Sequence, residues 1–423
     1  MDCRSLRSPN SWDLPDQPWR TTERFPDMNV TYPQSDIDLY SDAALLDPFP
    51  LYKQLRDAGP AVWLSRYDMM VLSRYKDVTE AMRNWQVFTS AQGVMMNKPM
   101  NDTLRGIVLC SDDREHAALR RVIAKPITPA AIKSYSDLIT TEAEALVERL
   151  VARRHFDAAT DLAQYLPVTI VSNLVGLPEE GRERMLDWAA ANFQCFGPLN
   201  ERTTQAFEIV KEMVTFAFTK CTRENLKPDG WAKMIWDAAD RGEIGMEKPP
   251  LMMNDYMGPS LDTTIFTTSS AIWLFAKNPD QWDALRENPS LLPGAINEVV
   301  RMESPLQGFS RVATRDVNID GVTVPKDTRT IMLWGSANRD ERKWDEPDKF
   351  DIKRRNADHV GFGHGVHICV GMHLAKMEIA ALLTALIKRV KRFELGKTER
   401  VVNNVMHGFS KVEVTVHEGA AIR

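Results

Sequence analysis

Cysteine is scarce in this chain, and what there is lies scattered. Its five copies among 423 residues stand at positions 3, 110, 195, 221 and 369, odd in number and without a C-x-x-C pair. That pattern excludes a zinc ribbon and argues against a disulfide framework, so a reducing, cytoplasmic setting is expected. A basic excess is missing too. The 53 Lys and Arg residues against 58 Asp and Glu leave a net charge of −5, which argues against a nucleic-acid partner. No run approaches the ~18 apolar residues that cross a bilayer, and Met1 to Asn10 contain no apolar h-region. Neither a membrane anchor nor a signal peptide is expected. The glycine fingerprint of dinucleotide-binding folds, a GxGxxG following a strand, is absent as well.

What is present is a large apolar fraction, 43%, enough for a sizeable core. Residues 1–35 are polar, proline-bearing and aperiodic, and read as a poorly ordered extension. Order is expected from about Asp47-Pro48-Phe49-Pro50, with a helix from Leu51. Val62-Trp63-Leu64 and Met69-Met70-Val71-Leu72 read as a strand pair around a charged turn. From about 112 to 302 the apolar period is mainly 3.6, and short strands return at 317–319, 329–333 and 412–416. No repeat, low-complexity tract or linker interrupts the pattern, so residues 36–423 are expected to form one domain, mainly α, with small peripheral β-sheets.

The most informative stretch is Phe362-Gly363-His364-Gly365-Val366-His367-Ile368-Cys369-Val370-Gly371. One cysteine stands in a glycine-punctuated loop, and a helical pattern starts directly after it. Glycines 363, 365 and 371 let the backbone take positive φ and approach a flat ligand. A thiolate at a helix N-terminus is stabilised by free amide groups and the helix dipole. Such a site suits an axial sulfur ligand to haem iron.

This Phe-x-x-Gly-x-His-x-Cys-x-Gly pattern resembles the haem-binding signature of the cytochrome P-450 superfamily, the haem-thiolate monooxygenases. The resemblance implies a helix-rich triangular body, haem b held around Phe362, His367 and Gly371, and Cys369 as the metal ligand. Three further motifs agree with it. Glu298-Val299-Val300-Arg301 is similar to the family's Glu-x-x-Arg helix, which buttresses the cysteine pocket, with Arg354 as the expected third partner. His116 and Arg120, one helical turn apart, join Arg311 and His367 as expected donors to the two haem propionates. Asp262-Thr263 resembles the acid–alcohol pair that relays protons during oxygen activation. There the chain departs from the family pattern, because Pro259-Ser260 replaces the usual small residue and glycine. Proline lacks an amide hydrogen, so the helix running from Asn254 to Ala276 is expected to kink at that point.

Among these enzymes the chain looks most like the bacterial monooxygenases that demethylate 4-methoxybenzoate, through segments such as Cys195-Phe196-Gly197-Pro198-Leu199-Asn200 and Asn403-Asn404-Val405-Met406-His407-Gly408-Phe409. The expected substrate pocket comprises Gln92, Met95, Phe196, Asn254, Asp255, Met257, Pro259 and Phe309. Gln92, Asn254 and Asp255 stand at or near positions where the benzoate enzymes carry arginine and serine. Asp255 would repel an anion, so a neutral aromatic analogue is an expected substrate beside a para-substituted benzoate. The family also contains enzymes that oxidise terpenoids and other apolar molecules. A peroxide-using peroxygenase usually lacks the acid–alcohol pair, and a haem-binding sensor needs no proton relay. With no flavin of its own, the chain is expected to take electrons from a [2Fe–2S] ferredoxin and an NAD(P)H-dependent reductase. The ferredoxin would dock on a basic face built from Arg120, Arg121, Lys125, His373 and Lys376.

Overall fold

At the centre lies the helix Asp262–Lys277, whose composition looks too polar for its place. Six of its residues are Thr or Ser, yet most of the helix is buried. The hydroxyls bond inward along the helix, Thr267 to the Thr263 carbonyl at 2.7 Å, Thr268 to Thr264 at 2.9 Å and Ser269 to Ile265 at 2.9 Å. These three hydroxyls thus bring their own partners into the core, whereas the buried Ser270 hydroxyl has none among the described residues. The structure, a computed structural model, describes residues 32–419. Leu292–Glu303 and Met372–Arg389 pack on the central helix and Ser136–Arg153 packs on Met372–Arg389, and the apolar residues of all these elements join one continuous core.

Three small sheets flank the helices. The largest runs in the order Gln34–Ser35, Val62–Leu64, Met69–Leu72, Arg329–Leu333, Gly308–Ala313 and Phe88–Thr89. A second joins Val390–Arg400, Phe409–Glu418 and His155–Asp157. The third is the hairpin Val317–Ile319 with Val322–Val324, turned by Asp320 and Gly321 at φ 44° and 90°, the double positive φ of a type I′ turn.

The expected strand pair and the three later strands are all found. Order begins earlier than expected, because Gln34–Ser35 pairs in parallel with Trp63 and Leu64 and Ser41 caps a short helix, Asp42–Leu46. The remainder of the expected extension, up to residue 31, lies outside the described residues. The strand Gly308–Ala313 was not foreseen. All six of its residues are buried, so it shows none of the alternation that betrays a strand with one wet face. The helix expected from Asn254 to Ala276 is in fact two, Asn254–Met257 and Asp262–Lys277. Gly258 closes the first by donating to the Asn254 carbonyl at 3.0 Å, and the chain passes Pro259 before the second begins.

Candidate active site

The cysteine loop is held from three sides. Gly363 and Gly365 take φ +72° and +70°, and a Cβ on Gly365 would lie 2.7 Å from the Met82 carbonyl oxygen, so only glycine fits there. Gly371 departs from expectation with φ −84°; it is the N-cap of Met372–Arg389. The Cys369 amide donates to the Phe362 carbonyl at 2.8 Å, closing the loop. Behind it, Glu298 and Arg301 are fully buried and joined twice, at 2.8 and 2.9 Å. Arg354 adds a bond to Glu298 at 3.0 Å and Asn356 another at 3.2 Å. Burial alone would raise the Glu298 carboxyl, but Arg301, Asn356 and Arg354 together hold it below the usual carboxylate range. Asn338 couples this cluster to the loop. Its carbonyl accepts from Arg301 at 2.7 Å, and its side chain accepts from the Val360 amide at 2.8 Å.

The Cys369 sulfur opens onto a cavity of about 1520 Å³, its mouth included. It is exposed only toward that space and otherwise sits deep in the protein, so burial raises the thiol pKa. The Gly371 and Met372 amides and the charges of Arg120 and Lys376 pull the other way without prevailing. A cation bound at the sulfur would add to these charges in favouring the thiolate. Among the described residues no group of three or more His, Cys, Asp or Glu side chains could hold a metal ion, so an iron here would take Cys369 as its single protein ligand beside a macrocycle.

Of the four expected propionate donors, Arg120 and His367 line the cavity, whereas His116 and Arg311 are not on its wall. The His116 and His367 rings lie 4.2 Å apart, and Arg120 donates to the Ile368 carbonyl at 2.5 Å. His367 Nε2 lies 3.1 Å from Asp112 Oδ1 and 3.1 Å from the Ser90 hydroxyl. Asp112 gave no motif in the sequence, and its role follows only from this contact. Arg311 is buried and pushed down to about 10 by loss of solvent, and burial takes His116 down to about 4. Among the described residues neither Arg120 nor Arg311 forms an ion pair, and the buried His116 Nε2 and Trp334 Nε1 have no partner. A buried cationic group short of anions fits a bound dianion.

Of the expected pocket residues, Phe196, Asn254, Asp255, Pro259 and Phe309 line the cavity, and Thr263 joins them. Gln92, Met95 and Met257 do not. Gln92 is exposed, and its carbonyl is used by Arg329 at 3.0 Å. Met95 is turned into the core, where Asn101 brackets its amide and carbonyl at 3.0 Å each. Met257 is wholly buried, packed where the short helix leans on its neighbours. Asp262 is also off the cavity wall; burial pushes its carboxyl up to about 7. Sequence reasoning missed Asn192, Trp231, Thr264, Thr267, Trp334 and Glu378, which do line the space. These positions come from separate elements and carry no local spacing that could have marked them.

A family model described as cytochrome P450 matches residues 52–224 and 180–415, which is most of the chain. The chain belongs to the cytochrome P450 family. It is 36% identical over 389 residues to cytochrome P450 CYP199A2 of Rhodopseudomonas palustris, covering 90% of this chain and 94% of that protein. It is 29% identical over 404 residues to linalool 8-monooxygenase of Pseudomonas putida, covering 90% and 97%. The crystal structure of P450BioI in complex with an acyl-carrier-protein-ligated hexadec-9Z-enoic acid superposes with a TM-score of 0.80 at 25% identity, over 89% of this chain and 99% of that one. This cytochrome P450 is thus a monooxygenase of bacterial type, working with haem b. Among its described residues no helix is long and apolar enough to cross a membrane.

One P450 residue carries a pH prediction. Glu378, on the helix that follows the cysteine, is buried, has an unpartnered Oε1, and is pushed up to about 8 by burial. A carboxyl raised above its unfolded value of 4.5 contributes stability at low pH and loses it as pH climbs through about 8. Glu378→Gln should therefore melt higher than the parent above about pH 8, with the gain shrinking as pH falls toward 4.5. Melting curves across that range check it; a gain independent of pH would contradict it.

Proposed function

We propose that this P450 oxidises a small, para-substituted aromatic compound, by hydroxylation or O-demethylation. The observation that supports the aromatic reading is a continuous wall of rings on the cavity. Phe193 and Phe196 lie 5.5 Å apart, Phe196 and Phe309 5.8 Å, and Phe309 and Trp334 5.2 Å. Tilted and edge-on rings at these spacings favour a further flat ring. In this reading Cys369 would hold the haem through its sulfur, and His116, Arg120, Arg311 and His367 would take its propionates. When bound, haem would supply the redox chemistry of oxygen activation.

Protons for that reaction must come from the chain. Thr263 faces the cavity, and its hydroxyl donates to the Pro259 carbonyl at 3.3 Å, a contact long enough to be exchanged. Asp262, next in the chain, is the second group of the relay in this reading; it lies behind the cavity wall, and burial holds its carboxyl up to about 7. Thr263→Ala should keep NAD(P)H consumption while product falls several-fold and peroxide rises. Full coupling in that variant would remove Thr263 from the mechanism.

Electrons are supplied, in this reading, by an acidic [2Fe–2S] ferredoxin and its NAD(P)H-dependent reductase in the cytoplasm. Arg121, Lys125 and His373 are exposed, and Arg120 and Lys376 half-buried, giving the donor a positive face near the cysteine loop. The test of the substrate class is a spin-state titration of the ferric protein with 4-methylanisole and with linalool. Tighter binding of the aromatic ether supports the proposal, and the reverse order favours a terpenoid.

A further inference from the structure

The helix Met185–Gln194 packs on the short helix Asn254–Met257 and brings three polar side chains to the cavity wall. Asn192 and Asn254 are 1% and 6% exposed, and neither Oδ1 has a hydrogen bond among the described residues. Gly258 makes room for the first of them: a Cβ there would meet Asn192 Nδ2 at 2.4 Å, so the amide nitrogen lies against the turn and its oxygen stays free. Asp255, deep in the protein, has one long contact, from the Val108 amide at 3.5 Å. Buried polar groups left this short of partners are costly unless a ligand or water supplies them. The only basic side chains on the described cavity wall are Arg120 and His367, and both belong to the group at the cysteine loop. The three polar residues therefore present oxygen acceptors with no cation among them.

We infer that Asn192, Asn254 and Asp255 form a head-group site for a hydroxyl on the aromatic substrate, and that this site discriminates against the corresponding carboxylate. The inference rests on the aromatic-monooxygenase reading and specifies its substrate class. A hydroxyl both donates and accepts, so it can give its proton to one free oxygen and take a hydrogen bond from an amide or from protonated Asp255. Burial pushes the Asp255 carboxyl up to about 7, which keeps the protonated form available near neutrality. A carboxylate only accepts; it would face acceptor oxygens after losing its water, which is discrimination by an unfavourable pairing. An apolar head would leave the three groups unsatisfied.

The test uses the ferric holoenzyme and three ligands with a common ring: 4-methoxybenzyl alcohol, 4-methylanisole and 4-methoxybenzoate. The spin-state change gives each dissociation constant without turnover. The alcohol should bind on the order of tenfold or more tighter than either of the others. In Asn192→Leu and Asp255→Leu its advantage over 4-methylanisole should disappear. Should those variants fail to bind haem, the ranking in the parent enzyme and in the isosteric Asp255→Asn decides alone, with the alcohol still first in the parent and its lead reduced in the variant. Benzoate binding as tightly as the alcohol, or three equal constants, overturns the head-group site while the aromatic reading stands on the 4-methylanisole shift. A haem-thiolate protein that responds to none of the three ends both readings.

Discussion

Cys369→Ala is expected to abolish the thiolate-type ferrous–carbonyl spectrum completely, leaving a protein that either binds haem weakly or binds it without sulfur. The geometry makes this sharper than the loss of one ligand among several. No cluster of metal-ligating side chains exists among the described residues to replace the sulfur, and the loop presents it from a backbone that Gly363 and Gly365 hold in the left-handed region. The sulfur opens onto the cavity, so the thiolate signature would report iron bound at this atom. Absorption spectra of the reduced protein under carbon monoxide check it. A retained thiolate spectrum in the variant would transfer the role to another cysteine, although Cys110 and Cys195 are held up at about 12 by burial away from the loop.

Arg301→Ala is expected to cost about 3 kcal/mol of folding stability, the low end of the range for breaking a buried ion pair, because Arg354 still pairs with Glu298. Glu298 would keep Arg354 and Asn356 but lose its two shortest bonds, and the Asn338 and Pro347 carbonyls would lose their donor. Because Asn338 also holds the Val360 amide, the cysteine loop should loosen and haem retention fall together with stability. An exposed pair gives the contrast. Arg184 joins Glu212 at 2.9 Å with both side chains well exposed, and its removal should move the denaturant midpoint far less, since solvent screens an exposed pair. Denaturant midpoints for the two variants, with the Glu298/Arg301 double-mutant cycle to isolate the coupling, provide the measurement. Equal losses at the two sites would contradict the assigned role.

How much of this was readable in advance depended on whether a residue's neighbours lie near it in the chain. The cysteine loop and its helix, the Glu-x-x-Arg pair and the proline break are local. Glycine φ, the i,i+3 spacing and the missing proline amide act over a few residues, so one window of sequence contains the whole cause. Gln92 and Met95 show the opposite case. Both lie on a segment that correctly appeared close to the pocket, since the Met96 amide bonds the Phe196 carbonyl at 2.9 Å. Which side chains turn inward there is decided by Asn101 and by Arg329, 237 residues away from Gln92.

The sequence alone determined the kind of chemistry: a single cysteine in a loop that only glycines permit, and an alcohol beside an acid. Tertiary structure alone decided the substrate side. Asn192, Asn254 and Asp255 become one polar patch, and Phe193, Phe196, Phe309 and Trp334 one wall, only when helices and a strand from distant parts of the chain are packed together. Whether a buried polar atom finds a partner is likewise a property of that packing, because the partner comes from another element, or from the ligand itself.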